Sequence, residues 1–448
     1  DLSSWHIHEK LKLKTPSGIF TGAKSFNPAY SPFQKKARKI DKSKEKLTKN
    51  DKNSFTKLKK LLKSRDFDKI DIGVELLLSL NNTELFNIML DGCKLETIDD
   101  SETNNFESKL HTNDIFTGTG PAQPFLNYAL MSIVISIPQV SDIKIDESLK
   151  LDNITRLNIS TLFGDIKKGD IKFNINKFTS LEEIYIDFSK VYHYHFLAEK
   201  KDIDDCRIGF FKSNFTKKLV ATNVEGSLRW LENFKQVQDL TLFVNNKFNN
   251  TLIQDLDSFS YLKNLKKLKM VGIGYLTDIN FLSNCNNLEC LSLSRNTWYS
   301  QEISLNNIDV ISQLKNLENL EIISVDEQIN LGVINKCKMI KELSLDVKNK
   351  SKINHLIGCE NLKILNLKID SSFDINDIDF STLNGCKNLE KINITGGHSY
   401  SFNGKIENIN GIEIADTIKT VVLDKISFQT NVIMNNNYDE IIESAVKP

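Results

Sequence analysis

No two cysteines in this chain stand at C-x-x-C spacing, no H-E-x-x-H occurs, and no apolar run is long enough to cross a bilayer. The first two absences remove the commonest zinc signatures. The longest apolar run, Phe125 to Ile137, covers 13 residues and is broken by Asn127, Ser132 and Ser136. A spanning helix needs about 20, so no membrane insertion is expected. No charged-then-apolar leader and no nucleophile elbow are visible. Gly18-x-x-x-Gly22-Ala23-Lys24-Ser25 approaches a phosphate-binding loop, but Ala23 separates Gly from Lys and no apolar strand precedes it. Gly118-Thr119-Gly120-Pro121 is a turn signal. Nothing positive points to an enzyme, a cofactor or a metal, and we expect none of the three.

Cysteine is sparse. Its seven residues are odd in number and widely separated, unlike the dense framework of a small secreted domain, so a reducing, cytoplasmic setting is expected. Net charge is absent too, with 58 Lys+Arg against 58 Asp+Glu. The balance hides an asymmetry. From Lys35 to Arg65 there are 14 basic residues and three acids (Asp41, Glu45, Asp51), a local +11, which leaves −11 for the rest. This arm has three readings: a nucleic-acid contact through phosphate neutralisation, a dock for an acidic protein or membrane surface, or a solvated linker. The chain opens on Asp1, which leaves room for a further domain upstream.

What the chain has is repetition. The phrase apolar-x-x-apolar-x-x-apolar-x-apolar occurs ten times between Leu151 and Leu423. Its frames begin at Leu151, Phe178, Phe234, Leu262, Cys285, Leu314, Cys337, Cys359, Cys386 and Ala415. Counted from the second apolar residue, the steps are 27, 56, 28, 23, 29, 23, 22, 27 and 29 residues. The step of 56 is two periods of 28, so one repeat is degenerate or interrupted between Ile186 and Phe234. No single unit can bury its own leucines, so units must stack into one continuous core. Each unit reads as a short strand and a return segment, with room for a helix in the longer steps, as at Ile308 to Leu314. The four cysteines that open frames share a column with Leu, Phe and Ala, and serve there as small hydrophobes.

Before the repeats, the apolar spacing predicts helices. Leu58, Leu61 and Leu62 mark one, and Ile70, Val74, Leu77 and Leu78 a second. Asn81, Asn82 and Thr83 break the chain and cap a third, which carries Leu85, Phe86, Met89 and Leu90 and stops at Gly92. A fourth runs from about Ala122 to Ile137, ended by Pro138. The expected order is a basic, poorly packed arm (1–54), a helical capping module (55–138), the repeats (139–425) and a C-terminal cap (426–448). Tyr192-His193-Tyr194-His195-Phe196 falls in the interrupted repeat. It reads as a surface or packing element in the first place, and as a metal pair or pH-sensitive patch in the second.

Leu288-Glu289-Cys290-Leu291-Ser292-Leu293-Ser294-Arg295-Asn296 resembles the leucine-rich repeat consensus, including its turn Asn. Five other repeats hold Ile273, Val325, Lys348, Asp370 and Gly397 at that Asn position, which suggests an irregular array. The segment Ser64 to Asp71 is similar to the leading part of some bacterial cytoplasmic leucine-rich repeat proteins. The resemblance implies an α/β solenoid of about ten to eleven repeats, with a curved parallel sheet, a small helical module at its start and no inherent catalysis. It also implies that a protein or peptide is recognised on the concave face, by the residues alternating with the buried leucines.

Those residues run from Arg156, Asn158 and Ser160 through Glu183, Tyr185 and Asp187 to Asp239, Thr241 and Phe243. Lys267, Lys269, Cys290 and Ser292 follow, then Asn319, Glu321, Glu342 and Asp346. Glu321, Glu342 and Asp346 form an acidic group suited to a basic segment, and Tyr185 and Phe243 are candidate anchors. The expected function is therefore a non-enzymatic interaction scaffold. The alternatives are a nucleic-acid-associated protein that uses residues 35–65, or the recognition region of a larger enzyme or effector.

Overall fold

The computed structural model of the chain describes residues 49–100, 105–118, 122–137, 143–163, 175–188, 213–224, 226–244, 253–273, 276–294, 305, 307–323, 331–347, 356, 359–369, 383, 385–396, 420–424 and 440–444. The basic arm up to residue 48, the Tyr192–Phe196 run, Asn296 and the residues after 444 lie outside these. The fold divides into two compact units, Asp1–Phe215 and Thr216–Pro448.

The first unit opens with the expected helices. α1 (Lys49–Leu62) buries Leu58 and Leu62, and α2 (Phe67–Leu80) buries Ile70, Val74 and Leu77. The Asp66 carboxylate caps α2 by accepting from Lys69 N at 3.4 Å, and Asn81 closes it in the left-handed region at φ 44°. Asn82 then caps α3 (Thr83–Leu90), accepting from Leu85 N at 3.1 Å. α4 (Gln123–Ser136) is buried almost all round, with Pro124 in its first turn. Tyr128 of α4 is fully buried; its hydroxyl donates to Asp71 Oδ1 at 2.9 Å and its ring meets Phe67 edge-on at 4.8 Å.

The helical module is not purely helical. β1 (Lys94–Asp100) and β2 (Asn105–His111) form an antiparallel hairpin with Leu95 opposite Leu110. Two short parallel strands follow, β3 (Arg156–Asn158) and β4 (Glu183–Asp187), with α5 (Ile159–Phe163) directly after β3. Asn158, expected on the displayed face, is buried instead. Its Nδ2 donates to Phe106 O at 2.5 Å, its Oδ1 accepts from Ser160 N and Thr161 N at 3.1 Å, and its N–H donates to Ser108 Oγ at 2.8 Å. These bonds fasten β2 to the first repeat strand and satisfy backbone groups that an open edge would expose.

The second unit is ten parallel strands in sequence order. They are β5 (Lys218–Val224), β6 (Asp239–Val244), β7 (Lys267–Val271), β8 (Cys290–Ser294) and β9 (Asn319–Ile323), then β10 (Glu342–Val347), β11 (Ile364–Ile369), β12 (Lys391–Gly396), β13 (Thr420–Asp424) and β14 (Glu440–Ser444). Leu240, Leu268, Leu291, Leu320, Leu343, Leu365 and Ile392 stand in one register row, all buried. Across both units, every frame residue with a described side chain is buried except Leu151. Each such leucine contributes about 2 kcal/mol by leaving water, and only stacking achieves that.

β5 is the repeat that the spacing missed. It places Leu219 opposite Leu240 and Ala221 opposite Leu242. By the same register, the first two positions of its frame are Ser213 and Thr216, both buried. Polar residues at two buried positions erase the pattern while the strand survives.

The return segments also differ from expectation. They are 3-10 helices, at Arg229–Asn233, Leu256–Tyr261, Asn280–Asn284, Asp309–Gln313 and Leu331–Lys336. Three residues per turn put every third side chain on one side. The buried residues keep that step, as in Leu228/Leu231/Phe234/Val237 and Ile308/Ile311/Leu314/Leu317. After the first residue of each run, these N–H groups bond to the carbonyl three back, as Leu231 N to Leu228 O at 2.9 Å and Leu314 N to Ile311 O at 3.1 Å. An α-helix would turn these residues away from one another.

A second regularity ties repeat to repeat. Asn264, Asn287, Asn316, Asn361 and Asn388 each precede the second frame residue. Their amides donate to the backbone carbonyls of Lys235, Lys263, Asn286, Lys338 and Glu360 in the repeat before, at 3.4, 2.8, 2.8, 2.6 and 2.8 Å. The Asn ladder is therefore real but sits at another position than the consensus turn Asn. Met339 occupies the ladder position in its own repeat and is 44% exposed. Restoring the amide with Met339→Asn, facing Lys315 O by the same offset, should stabilise the unit by about 0.5–1 kcal/mol. A urea midpoint that does not rise would contradict the ladder's energetic role.

Candidate functional site

The expected site residues divide between the two units. On β4, Glu183 is engaged by Arg156, whose Nε donates to Glu183 Oε2 at 3.0 Å and whose Nη1 meets Asp99 at 2.5 Å. The guanidinium also lies over the Phe106 ring at 4.2 Å. Glu183 keeps only 14% of its side chain exposed, so its charge is already answered within the unit. Tyr185 and Asp187 are half-buried on the same strand.

In the second unit, the alternation of the strands turns Asp239, Lys267, Lys269, Asn319, Glu321 and Glu342 to the face opposite the leucines. They line one open hollow of about 360 Å³ with Thr241, Cys290, Ser292 and Ser344. Two register rows build it. One runs Asp239, Lys267, Cys290, Asn319, Glu342, and the other Thr241, Lys269, Ser292, Glu321, Ser344. The middle strand β8 contributes only small side chains, whereas β7, β9 and β10 contribute long ones. That difference in length makes a trough.

Phe243 and Asp346 stand outside the lining, one register step further along their strands. Phe243 is 37% exposed, while Asp346 is only 7% exposed. The acidic group expected from Glu321, Glu342 and Asp346 therefore reduces to its first two members.

Neutral donors hold the carboxylates. Ser292 Oγ hydrogen-bonds Glu321 Oε2, and Asn366 Nδ2 donates to Glu342 Oε1 at 3.0 Å and to Ser344 Oγ at 2.9 Å. Asn393 Nδ2 continues the row to Asn366 Oδ1 at 2.6 Å. Asn366 and Asn393 were not among the expected site residues, although both lie at the alternating positions of their frames. Lys267 and Lys269 are exposed and make no ion pair with any described residue.

The cysteine column lies on the other side of the sheet. Cys285, Cys337 and Cys386 are buried, and each thiol points at a carbonyl of the repeat before, Phe259 O at 3.9 Å, Ile311 O at 3.3 Å and Leu356 O at 3.4 Å. Cys359 is buried with its Sγ 3.5 Å from Asn335 Oδ1. Burial pushes these thiols up from the ordinary 9.0, Cys285, Cys337 and Cys386 to about 11 and Cys359 to about 12. They pack as core. Among the described residues, no group of three or more His, Cys, Asp or Glu is placed to hold a metal ion, and no helix is long and apolar enough to cross a membrane. Of the basic segment, α1 and the turn after it expose Lys57, Lys60 and Arg65, and Lys63 Nζ donates to Asp114 O at 2.9 Å.

No protein-family model and no curated protein sequence matches the chain. Among solved structures, internalin C2 from Listeria monocytogenes is similar at 17% identity and a TM-score of 0.29, over 46% of this chain and 80% of that one. A structure of the Toll–Spatzle complex of Drosophila is similar at 10% identity and a TM-score of 0.37, over 58% of this chain and 33% of that one. The assignment of the fold rests on the chain's own geometry: one strand per repeat, leucines in register, and an Asn rung between neighbours. The chain is an α/β leucine-rich repeat array with a helical region at its start.

Proposed function

We propose that the chain is a non-enzymatic scaffold that holds a protein or peptide partner on the open face of the second unit, in the hollow between β6 and β10. One observation carries this reading. Five charged side chains, Asp239, Lys267, Lys269, Glu321 and Glu342, line a single trough whose middle strand carries the short Cys290 and Ser292. Charges of this kind set specificity and association rate.

The test is partner retention by the full chain. Proteins held by immobilised wild type are compared with those held by E321K/E342K, with the thermal midpoint of each measured alongside. The expected result is a partner whose retention falls at least tenfold on the variant at unchanged midpoint. Equal retention by both chains would remove the hollow from the account.

A further inference from the structure

The turn that leads each layer of the second unit into its strand carries a row of lysines. Over the seven consecutive layers of β6 to β12, the residue after the first frame position is Lys235, Lys263, Lys315, Lys338 or Lys387 in five, with Asn286 and Glu360 in the other two. All five lysines are exposed, and none makes an ion pair with a described residue. The Asn ladder fixes the row from beneath. Asn264, Asn287 and Asn361 donate to the carbonyls of Lys235, Lys263 and Lys338 themselves, at 3.4, 2.8 and 2.6 Å. With layers about 4.8 Å apart, lysines in adjacent layers lie about 5 Å apart and those with one layer between them about 10 Å.

Nearby acids do not cancel the row. On the strand side, Glu289 and Glu318 are taken by Lys266 at 3.0 Å and Lys341 at 2.7 Å. On the return side, the neutral Ser260 and Ser312 stand three residues before Lys263 and Lys315, and Asp257 and Asp309 stand six before. Six residues of 3-10 helix rise about 12 Å, beyond the screening length of about 8 Å at physiological salt. Glu232, Glu360 and Glu390 are the exposed acids that remain beside five lysines. From Thr216 to Pro448 the unit has 25 basic and 28 acidic residues, so the row is a local excess of cation and not a reflection of composition. Like charges held in line repel one another, and a linear polyanion relieves them. An aromatic ring stands on the same flank. Tyr261 is 44% exposed, with Lys235 Nζ 5.8 Å from its ring centre.

We infer that this flank binds a single-stranded nucleic acid, with phosphates along the lysine row and a base against Tyr261. A line of cations beside an aromatic face is the combination that holds single strands without reading their sequence. A duplex carries its charges on a stiff helical path, and a lipid surface calls for cations spread over a plane. A flexible strand follows a row one lysine wide. The flank is separate from the hollow, and neither reading rests on the other.

Fluorescein-labelled twelve-residue oligo-dT and oligo-rU are titrated against the full chain by polarisation, over about 50 to 300 mM salt. K235M/K263M/K315M/K338M/K387M should lower affinity at least thirtyfold and flatten the plot of log K against log salt by about 3.5, five contacts at about 0.7 each. K315M/K338M should flatten it by about 1.4, and Tyr261→Ala should weaken binding about tenfold at unchanged slope. K266M/K341M changes the net charge as much as K315M/K338M but removes lysines already engaged by Glu289 and Glu318, and should cost less than threefold. Thermal midpoints are measured alongside, and the smaller variants decide the matter where the fivefold one unfolds. Three results overturn the inference: no binding by the wild type, binding indifferent to the flank variants (which assigns it to residues 35–65), or equal losses from K315M/K338M and K266M/K341M. Phosphatidylserine vesicles retained through the five lysines, with neither oligonucleotide bound, overturn it as well. All four leave the hollow reading untouched.

Discussion

Between pH 9 and pH 11 the second unit should lose stability steadily. Four thiols of the cysteine column carry the effect. An acid whose folded pKa is raised holds its proton in the native state after the unfolded chain has released it. Stability is therefore complete below the ordinary 9.0 and is lost as pH climbs toward about 11, the value reached by Cys285, Cys337 and Cys386. Each such thiol costs about 1.4 kcal/mol per pH unit in that window. The four do not add in full, because charge on Cys386 or Cys337 itself raises Cys359, so the column contributes a graded loss rather than four independent ones. The geometry sharpens the penalty, because a thiolate at Cys337 would face the Ile311 carbonyl at 3.3 Å with no proton between them. Urea midpoints at pH 8, 9, 10 and 11 check this against C285A/C337A/C359A/C386A. The variant should be weaker at pH 8 through its cavities but clearly flatter above pH 9. Parallel curves for the two chains would contradict the account.

Asn158→Ala should cost the first unit about 3 kcal/mol or more. The side chain serves Phe106 O, Ser160 N and Thr161 N from a buried position, and its removal strands all three. Each orphaned buried group costs about 1–3 kcal/mol. The damage should be local first, because the lost bond to Phe106 O is one of those joining β2 to β3. Hydrogen exchange in β2 should speed up before the helices respond. Asn153→Ala, which removes an exposed bond to Glu147 O at 2.9 Å, is the matched control and should cost under about 1 kcal/mol. Equal losses from the two substitutions would mean that burial is not what makes Asn158 important.

The repeats could be read directly because the buried leucines recur at fixed spacing, and the sheet followed. Helices α2 and α3 could be read because their caps and apolar faces agree, α1 from its leucine spacing and α4 from the apolar run that Pro138 ends. Three features escaped for separate reasons. The strand β5 hid behind Ser213 and Thr216, polar residues in buried frame positions. The hairpin escaped because Thr97 and Ser108 interrupt its apolar alternation and acids crowd its tip. The 3-10 returns are signalled upstream of most frames by a step of three, as in Ile279/Leu282/Cys285/Leu288, a spacing too short to stand out from the frame itself. The Asn ladder had a signal too, an Asn before the second frame residue in six repeats, Asn153 besides the five that form rungs. Within the candidate site, the alternating positions include the charged residues that line the trough. The burial of Asp346 and the pairing of Glu183 with Arg156 depend on three-dimensional neighbours that no spacing encodes.

The gap in that ladder has a mechanical meaning. A stack in which each layer touches only its neighbours behaves as a line of coupled springs, and its weakest coupling decides where it parts. Met339 removes the amide rung between the layers of β9 and β10, while the rungs on either side, from Asn316 and Asn361, remain. Across that seam the Lys341–Glu318 pair at 2.7 Å remains. Glu321 stands on one side and Glu342 on the other, so a ligand that grips both acts as a staple across a joint that lacks its amide rung.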